Sequence, residues 1–98
     1  LLPKFPAAAR DLAVIVSEEV GAGDMMQAIR QAGGKRLEQV GVFDVYAGDK
    51  IGAGKKSVAF SISLRSSEGT MTDEEVDRIM KKMLKALETQ FEASLRAE

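Results

Sequence analysis

Lys56-Ser57-Val58-Ala59-Phe60-Ser61-Ile62-Ser63-Leu64-Arg65 alternates apolar and small residues without a break. In an extended chain this sends Val58, Phe60, Ile62 and Leu64 to one side and Ser57, Ala59, Ser61 and Ser63 to the other. The neighbouring elements follow from this strand. Upstream, the glycine-rich stretch from Gly48 to Gly54 reads as a hairpin loop, and Lys35 to Tyr46 before it reads as a second strand. Downstream, Thr72-Asp73-Glu74-Glu75 is a capping box. The threonine side chain can accept from the Glu75 amide while Glu75 reaches back, and Met71 can staple onto Val76. The helix so started carries Val76, Ile79, Met80, Met83, Leu84 and Leu87 on one stripe, with Lys81, Lys82 and Lys85 on the polar side.

Towards the N-terminus, Asp11 to Ser17 alternates as a further strand, with Leu12, Val14 and Val16 on one side and Ala13 and Ile15 on the other. Gly21 and Gly23 break it. Asp24 is then expected to cap a short helix carrying Met25, Ala28, Ile29 and Ala32, which stops at Gly33-Gly34, where a left-handed residue is easily made. At the other end, Phe91, Ala93 and Leu95 alternate with Glu92, Ser94 and Arg96, which predicts a fourth short strand beginning at Phe91. The order β-α-β-β-α-β is that of the α+β ferredoxin-like sandwich. Right-handed crossovers place both helices on one face of a four-stranded antiparallel sheet. Alternation assigns Ala13, Ile15, Asp44, Tyr46, Ser57, Ala59, Ser61, Ser63, Ser94 and Arg96 to the open face.

With 98 residues the chain makes one domain, spanning 1–98, with room for a single core. It contains no cysteine and no histidine, which excludes disulfides, zinc, haem and any histidine-based acid–base or nucleophile system from this piece. No apolar run reaches bilayer length and no signal or transit segment is visible, so no membrane partner is expected and the cytoplasm is the expected compartment. The start at Leu1-Leu2-Pro3 reads as that of a piece of a longer chain. A net charge of −1 argues against backbone-driven nucleic-acid binding, which needs a basic footprint. It leaves room for a module that reads a few splayed bases while neighbouring parts supply phosphate contacts.

In Gly41-Val42-Phe43-Asp44-Val45-Tyr46, alternation places Asp44 and Tyr46 on one face and Phe43 and Val45 on the other. Exposed strand residues of no special role are the plain explanation. The functional one is base recognition: an aromatic ring is a stacking platform, and a carboxylate accepts the paired N–H donors on the Watson–Crick edge of guanine. The loop from Gly48 to Ser57 superficially looks like a phosphate-binding loop, but Asp49 and Lys56 stand where its glycine and its Ser/Thr are required, and it joins two strands. No catalytic constellation or metal cluster can be assembled from the spacing.

Lys4-Phe5-Pro6 with Arg10-Asp11-Leu12, Phe43-Asp44-Val45-Tyr46, Gly54-Lys55-Lys56-Ser57 with Ala59-Phe60, Thr72-Asp73-Glu74-Glu75-Val76 and Leu95-Arg96, in that order, resemble the ferredoxin-fold anticodon-binding domain. That domain closes the beta subunit of bacterial phenylalanyl-tRNA synthetases. The resemblance covers nearly the whole chain and implies a non-catalytic part of an ATP-dependent phenylalanine–tRNA ligase. Its partners would be the anticodon of phenylalanine tRNA, the rest of the beta subunit and the alpha subunit. ATP and magnesium would belong to the full synthetase, and no cofactor is expected here. Tyr46 would stack on the first anticodon base, a guanine, Asp44 would accept from its Watson–Crick edge, and Ser57 would add a hydrogen bond. Ala13 would permit close approach, while Arg10 and Lys4 would contact phosphate. The alternative is an amino-acid-binding regulatory or subunit-interaction module on the same fold, for which Gly21-Ala22-Gly23-Asp24 at a helix start would serve. A small hydrolase on this fold would need an anion-holding arginine loop and an amide side chain to position water, and the chain has no asparagine.

Overall fold

The computed structural model describes residues 5–96. Its elements run β1 (Ala8–Ser17), α1 (Ala22–Gly33), a 3₁₀ turn (Gly34–Arg36), β2 (Leu37–Tyr46), β3 (Lys55–Leu64), α2 (Asp73–Phe91) and β4 (Ser94–Leu95). The four strands form one sheet in the order β2-β3-β1-β4, and every pairing is antiparallel. This is the ferredoxin-like α+β sandwich that the element order predicts, with both helices against one face.

The alternating strand sits in the middle of the core. Val58, Phe60, Ile62 and Leu64 are buried together with Leu12, Val14 and Val16 of β1. The helical stripes close over them: Met25, Ala28 and Ile29 from α1, and Val76, Met83 and Leu87 from α2. Burial of a large aliphatic or aromatic side chain is worth about 1.5–3 kcal/mol, so this layer dominates the stability of so small a domain. Thr72 caps α2, its hydroxyl accepting from the Glu75 amide at 3.2 Å.

Several boundaries differ from expectation, each for a local reason. β1 begins at Ala8, because Ala8–Arg10 pair with Ile62–Leu64; alanines carry no alternation to announce a strand. Gly21, in extended conformation, stands at the N-cap of α1, and Asp24 lies in the first helical turn with no capping bond. Gly34, at φ 59°, ends α1 as expected, but its N–H returns to Arg30 and a 3₁₀ turn then delays β2 to Leu37. At the C-terminal end, α2 runs on through Phe91, so the expected strand shrinks to two residues. Glu92 adopts the left-handed conformation (φ 56°, ψ 33°), and the Ala93 amide reaches back to the Leu87 carbonyl at 3.3 Å. The apparent alternation from Phe91 was a helix end followed by a turn.

The most consequential departure is in β2. Its register shifts against β3 between Leu37 and Gln39 and again between Val42 and Asp44, leaving Glu38 and Phe43 as extra residues. A bulge of this kind reverses which residues face which side. Val40 and Val42 pair with Ile62 and Phe60 and pack on the core, while Asp44 and Tyr46 pair with Ala59 and Ser57 on the far side. Phe43 therefore does not join the core-facing set that strict alternation predicted; it is 58% exposed. Val45 pairs with buried Val58 but lies beyond the cover of the helices and is 54% exposed.

Candidate nucleic-acid interface

The uncovered face of the sheet is built in rows. Tyr46, Ser57, Ile15 and Ser94 form a row across all four strands through their registered pairs. Beside it, Asp44, Ala59 and Ala13 form a second row, and the Arg96 amide donates to the Ala13 carbonyl at 3.0 Å, which extends that row past β4. The two alanines make a low floor between Asp44 on the outer strand and Arg96 on the opposite side. Side chains this small let a flat ligand come close to the backbone.

Arg96 closes the group. Its Nη1 donates to Ser57 Oγ at 3.3 Å, and its guanidinium carbon stands 5.9 Å from the centroid of the Tyr46 ring. Ser57 is consequently buried, with its hydroxyl oxygen engaged by Arg96 and its own proton still available for donation. Tyr46 remains 42% exposed. Asp44 is exposed, and none of the ion pairs between described residues involves it. A ring, a carboxylate, a hydroxyl and a cation thus surround a shallow floor, which suits a planar group with hydrogen-bonding edges better than a compact substrate.

The sequence reading brings Asp44, Tyr46, Ser57 and Ala13 onto one face, where the structure also places them. Arg10 is not with them. It pairs with Ile62 on the helix-covered side, donates to the Ala9 carbonyl and reaches Asp73 at the start of α2 at 3.5 Å. With β1 extended back to Ala8, the parity that governs Leu12 also governs Arg10, so Arg10 lies on the side away from the site residues it was expected to join. Lys4 lies outside the described residues. Arg96 was assigned to the open face by alternation but given no part in the site, because periodicity reveals the face of a side chain and not its reach across two strands. Lys55, paired with Ser17, shares the open side, whereas Lys56, paired with Val16, does not.

Two other features carry less. A cleft of about 430 Å³ lies at the opposite end of the sheet, lined by Lys35, Arg36, Glu38, Arg65 and Ser66 among others. Four of its charges already answer one another, Arg36 with Glu68 at 3.8 Å and Arg65 with Glu38 at 2.6 Å. At the start of α1, the Asp24 carboxylate leans towards Gly21 within the first turn and neutralises the helix end that would attract an amino acid's carboxylate. Among the described residues no helix is long and apolar enough to cross a membrane, and no group of three or more acidic residues is placed to hold a metal ion.

Comparison with known proteins gives a consistent result. The family model of the ferredoxin-fold anticodon binding domain matches residues 3–96. The chain is 46% identical over 95 residues to the phenylalanine–tRNA ligase beta subunit of Bacillus licheniformis, and 46% identical to that of Bacillus subtilis. To the beta subunit of Streptococcus mutans it is 45% identical. Each alignment covers 97% of this chain and 12% of the relative, so the chain spans about an eighth of the length of the curated relatives it matches.

Proposed function

The chain belongs to the ferredoxin-fold anticodon-binding domain family, and from that premise we propose that its open sheet face reads the anticodon of phenylalanine tRNA as the non-catalytic part of a phenylalanine–tRNA ligase beta subunit. The aminoacylation chemistry, with its ATP and magnesium, belongs to the remainder of the synthetase. The observation that carries this reading is the outward orientation of Asp44 and Tyr46 beside Ser57 and Arg96.

Each group has a role that its chemistry fits. Guanine offers N1–H and N2–H donors side by side, and the two oxygens of the Asp44 carboxylate accept both; adenine presents one donor and one acceptor there and is refused. Tyr46 supplies the stacking surface, which accepts any base and so contributes affinity more than choice. Ser57 has a proton left to donate to an acceptor on the base. Arg96 brings positive charge to a chain whose net charge is −1, and meets a phosphate or the electron-rich edge of the base. Ala13 and Ala59 keep the floor low.

Binding to anticodon stem-loops that differ in their first anticodon base tests these roles. Asp44→Ala should cost about 1–3 kcal/mol with guanine present. Asp44→Asn should chiefly erode the preference for guanine, and Tyr46→Ala should weaken binding to every base by about 1–3 kcal/mol. Wild-type affinity and selectivity in the Asp44 variants would rule out the reading.

A further inference from the structure

We infer that Gly48 is a positioning residue for base stacking: the space left by its missing side chain is where the Tyr46 ring lies, and it fixes the angle at which that ring meets RNA. The inference rests on the stacking role proposed above for Tyr46. Gly48 stands two residues beyond Tyr46, in the turn after β2, where its carbonyl accepts from the amides of Ile51 at 3.0 Å and Gly52 at 3.3 Å. Gly52 (φ 114°) and Gly54 (φ 73°) have backbones that require glycine; Gly48 does not lie in that region. The main chain therefore gives no reason for glycine at 48, and the Tyr46 side chain does. A Cβ on Gly48 would stand 2.7 Å from the phenol oxygen, 3.0 Å from Cζ and 3.4 Å from Cε2.

Contacts that close are not sustained, so a larger residue at 48 must turn the ring away. The atoms that would move are the far end of one half-exposed side chain, which makes the displacement cheap for the fold and costly for the site. In the native arrangement the ring is folded back against the turn at its hydroxyl end, while Arg96 stands 5.9 Å from its centroid. A ring held this way has already lost rotamer freedom, so a base that stacks on it meets a preorganised surface.

The chain has one tyrosine and no tryptophan, so its intrinsic fluorescence reports this ring alone. Gly48→Ala should leave the unfolding midpoint nearly unchanged, raise acrylamide quenching of the tyrosine, and weaken binding to a guanine-first anticodon stem-loop about tenfold. Tyr46→Ala should weaken binding about 5- to 150-fold. In that background Gly48→Ala should have no further effect. Tyr46→Phe, which removes the atom at 2.7 Å, should recover part of the loss when combined with Gly48→Ala. The inference is overturned if Gly48→Ala costs as much without the ring as with it, or if quenching and affinity stay at wild-type values while Tyr46→Ala binds weakly. Wild-type binding by Tyr46→Ala would overturn the stacking role itself, a different result from either.

Discussion

Glu38 and Asp44 are carboxylates on the same edge strand, and their surroundings give them different work. Glu38 accepts from Arg65 through Nε at 2.6 Å and Nη2 at 3.3 Å, and from the Ser63 hydroxyl at 3.2 Å. Arg65 also donates to the Phe5 carbonyl, which ties the N-terminal entry to β2 and β3. The Arg65 hydrogen bond, foremost, holds the Glu38 carboxyl below the usual glutamate range, against a smaller upward push from partial burial. Because the folded value is depressed, the stabilisation is present above the ordinary glutamate range and is lost as pH falls through the folded value. Arg65→Gln should return the Glu38 midpoint towards that of a free glutamate, read from its carboxyl carbon by NMR titration; an unmoved midpoint would mean that the pair contributes nothing. Asp44 has no such partner among the described residues, which leaves its oxygens to a ligand. That Asp44 and Tyr46 make a pair was legible in the sequence. That Arg96 stands beside them was not, since a residue just past β4 reaches the β2 pair only once the sheet is assembled.

Among the elements, the two helices and their junctions back the sheet on one face and leave the other open. Gly33, buried at the end of α1, has ordinary helical dihedrals (φ −76°, ψ −26°), so conformation does not call for glycine there. Packing does: a Cβ at Gly33 would stand 2.7 Å from Met83 Cε and 2.9 Å from Leu37 Cβ. Met83 can bend away, but Leu37 Cβ is fixed to the strand. Gly33→Ala should therefore destabilise the fold by about 1–3 kcal/mol in a denaturant titration; a neutral result would show that α1 and β2 can part without cost. At the other helix end, Glu92 pays for a left-handed backbone that glycine adopts freely. Glu92→Gly should stabilise by about 1 kcal/mol, visible as a higher unfolding temperature, and a lower one would refute the strain. The Thr72 cap and both helical stripes were legible because caps and periodicity are local signals. The end of α2 was not, because Phe91, Ala93 and Leu95 suit a strand as well as they suit a helix end and a turn.

At the scale of the whole molecule, a chain with net charge −1 presents an open sheet face whose described basic groups are few, Arg96 chief among them. Stem-loop binding should accordingly depend weakly on salt, with a log–log slope of about −0.7 to −1.4, as for one or two phosphate contacts on single-stranded RNA. Arg96→Ala should flatten that slope by about one contact, and a wild-type slope steeper than about −3 would show that phosphates, not bases, dominate. The sequence by itself determined the order of elements, the α+β class, the core residues of β1, β3 and the two helices, and the family resemblance, since each is written in spacing along the chain. Only the tertiary structure decided which way β2 faces along its length. Val40, Val42, Asp44 and Tyr46 share one parity, and unbroken alternation would have put all four on the same side. The bulge at Phe43 separates them, sending the valines to the core and the acid and ring to the open face. A bulge arises from how one strand is registered against its neighbour, so it is a property of the pair that neither strand's sequence contains.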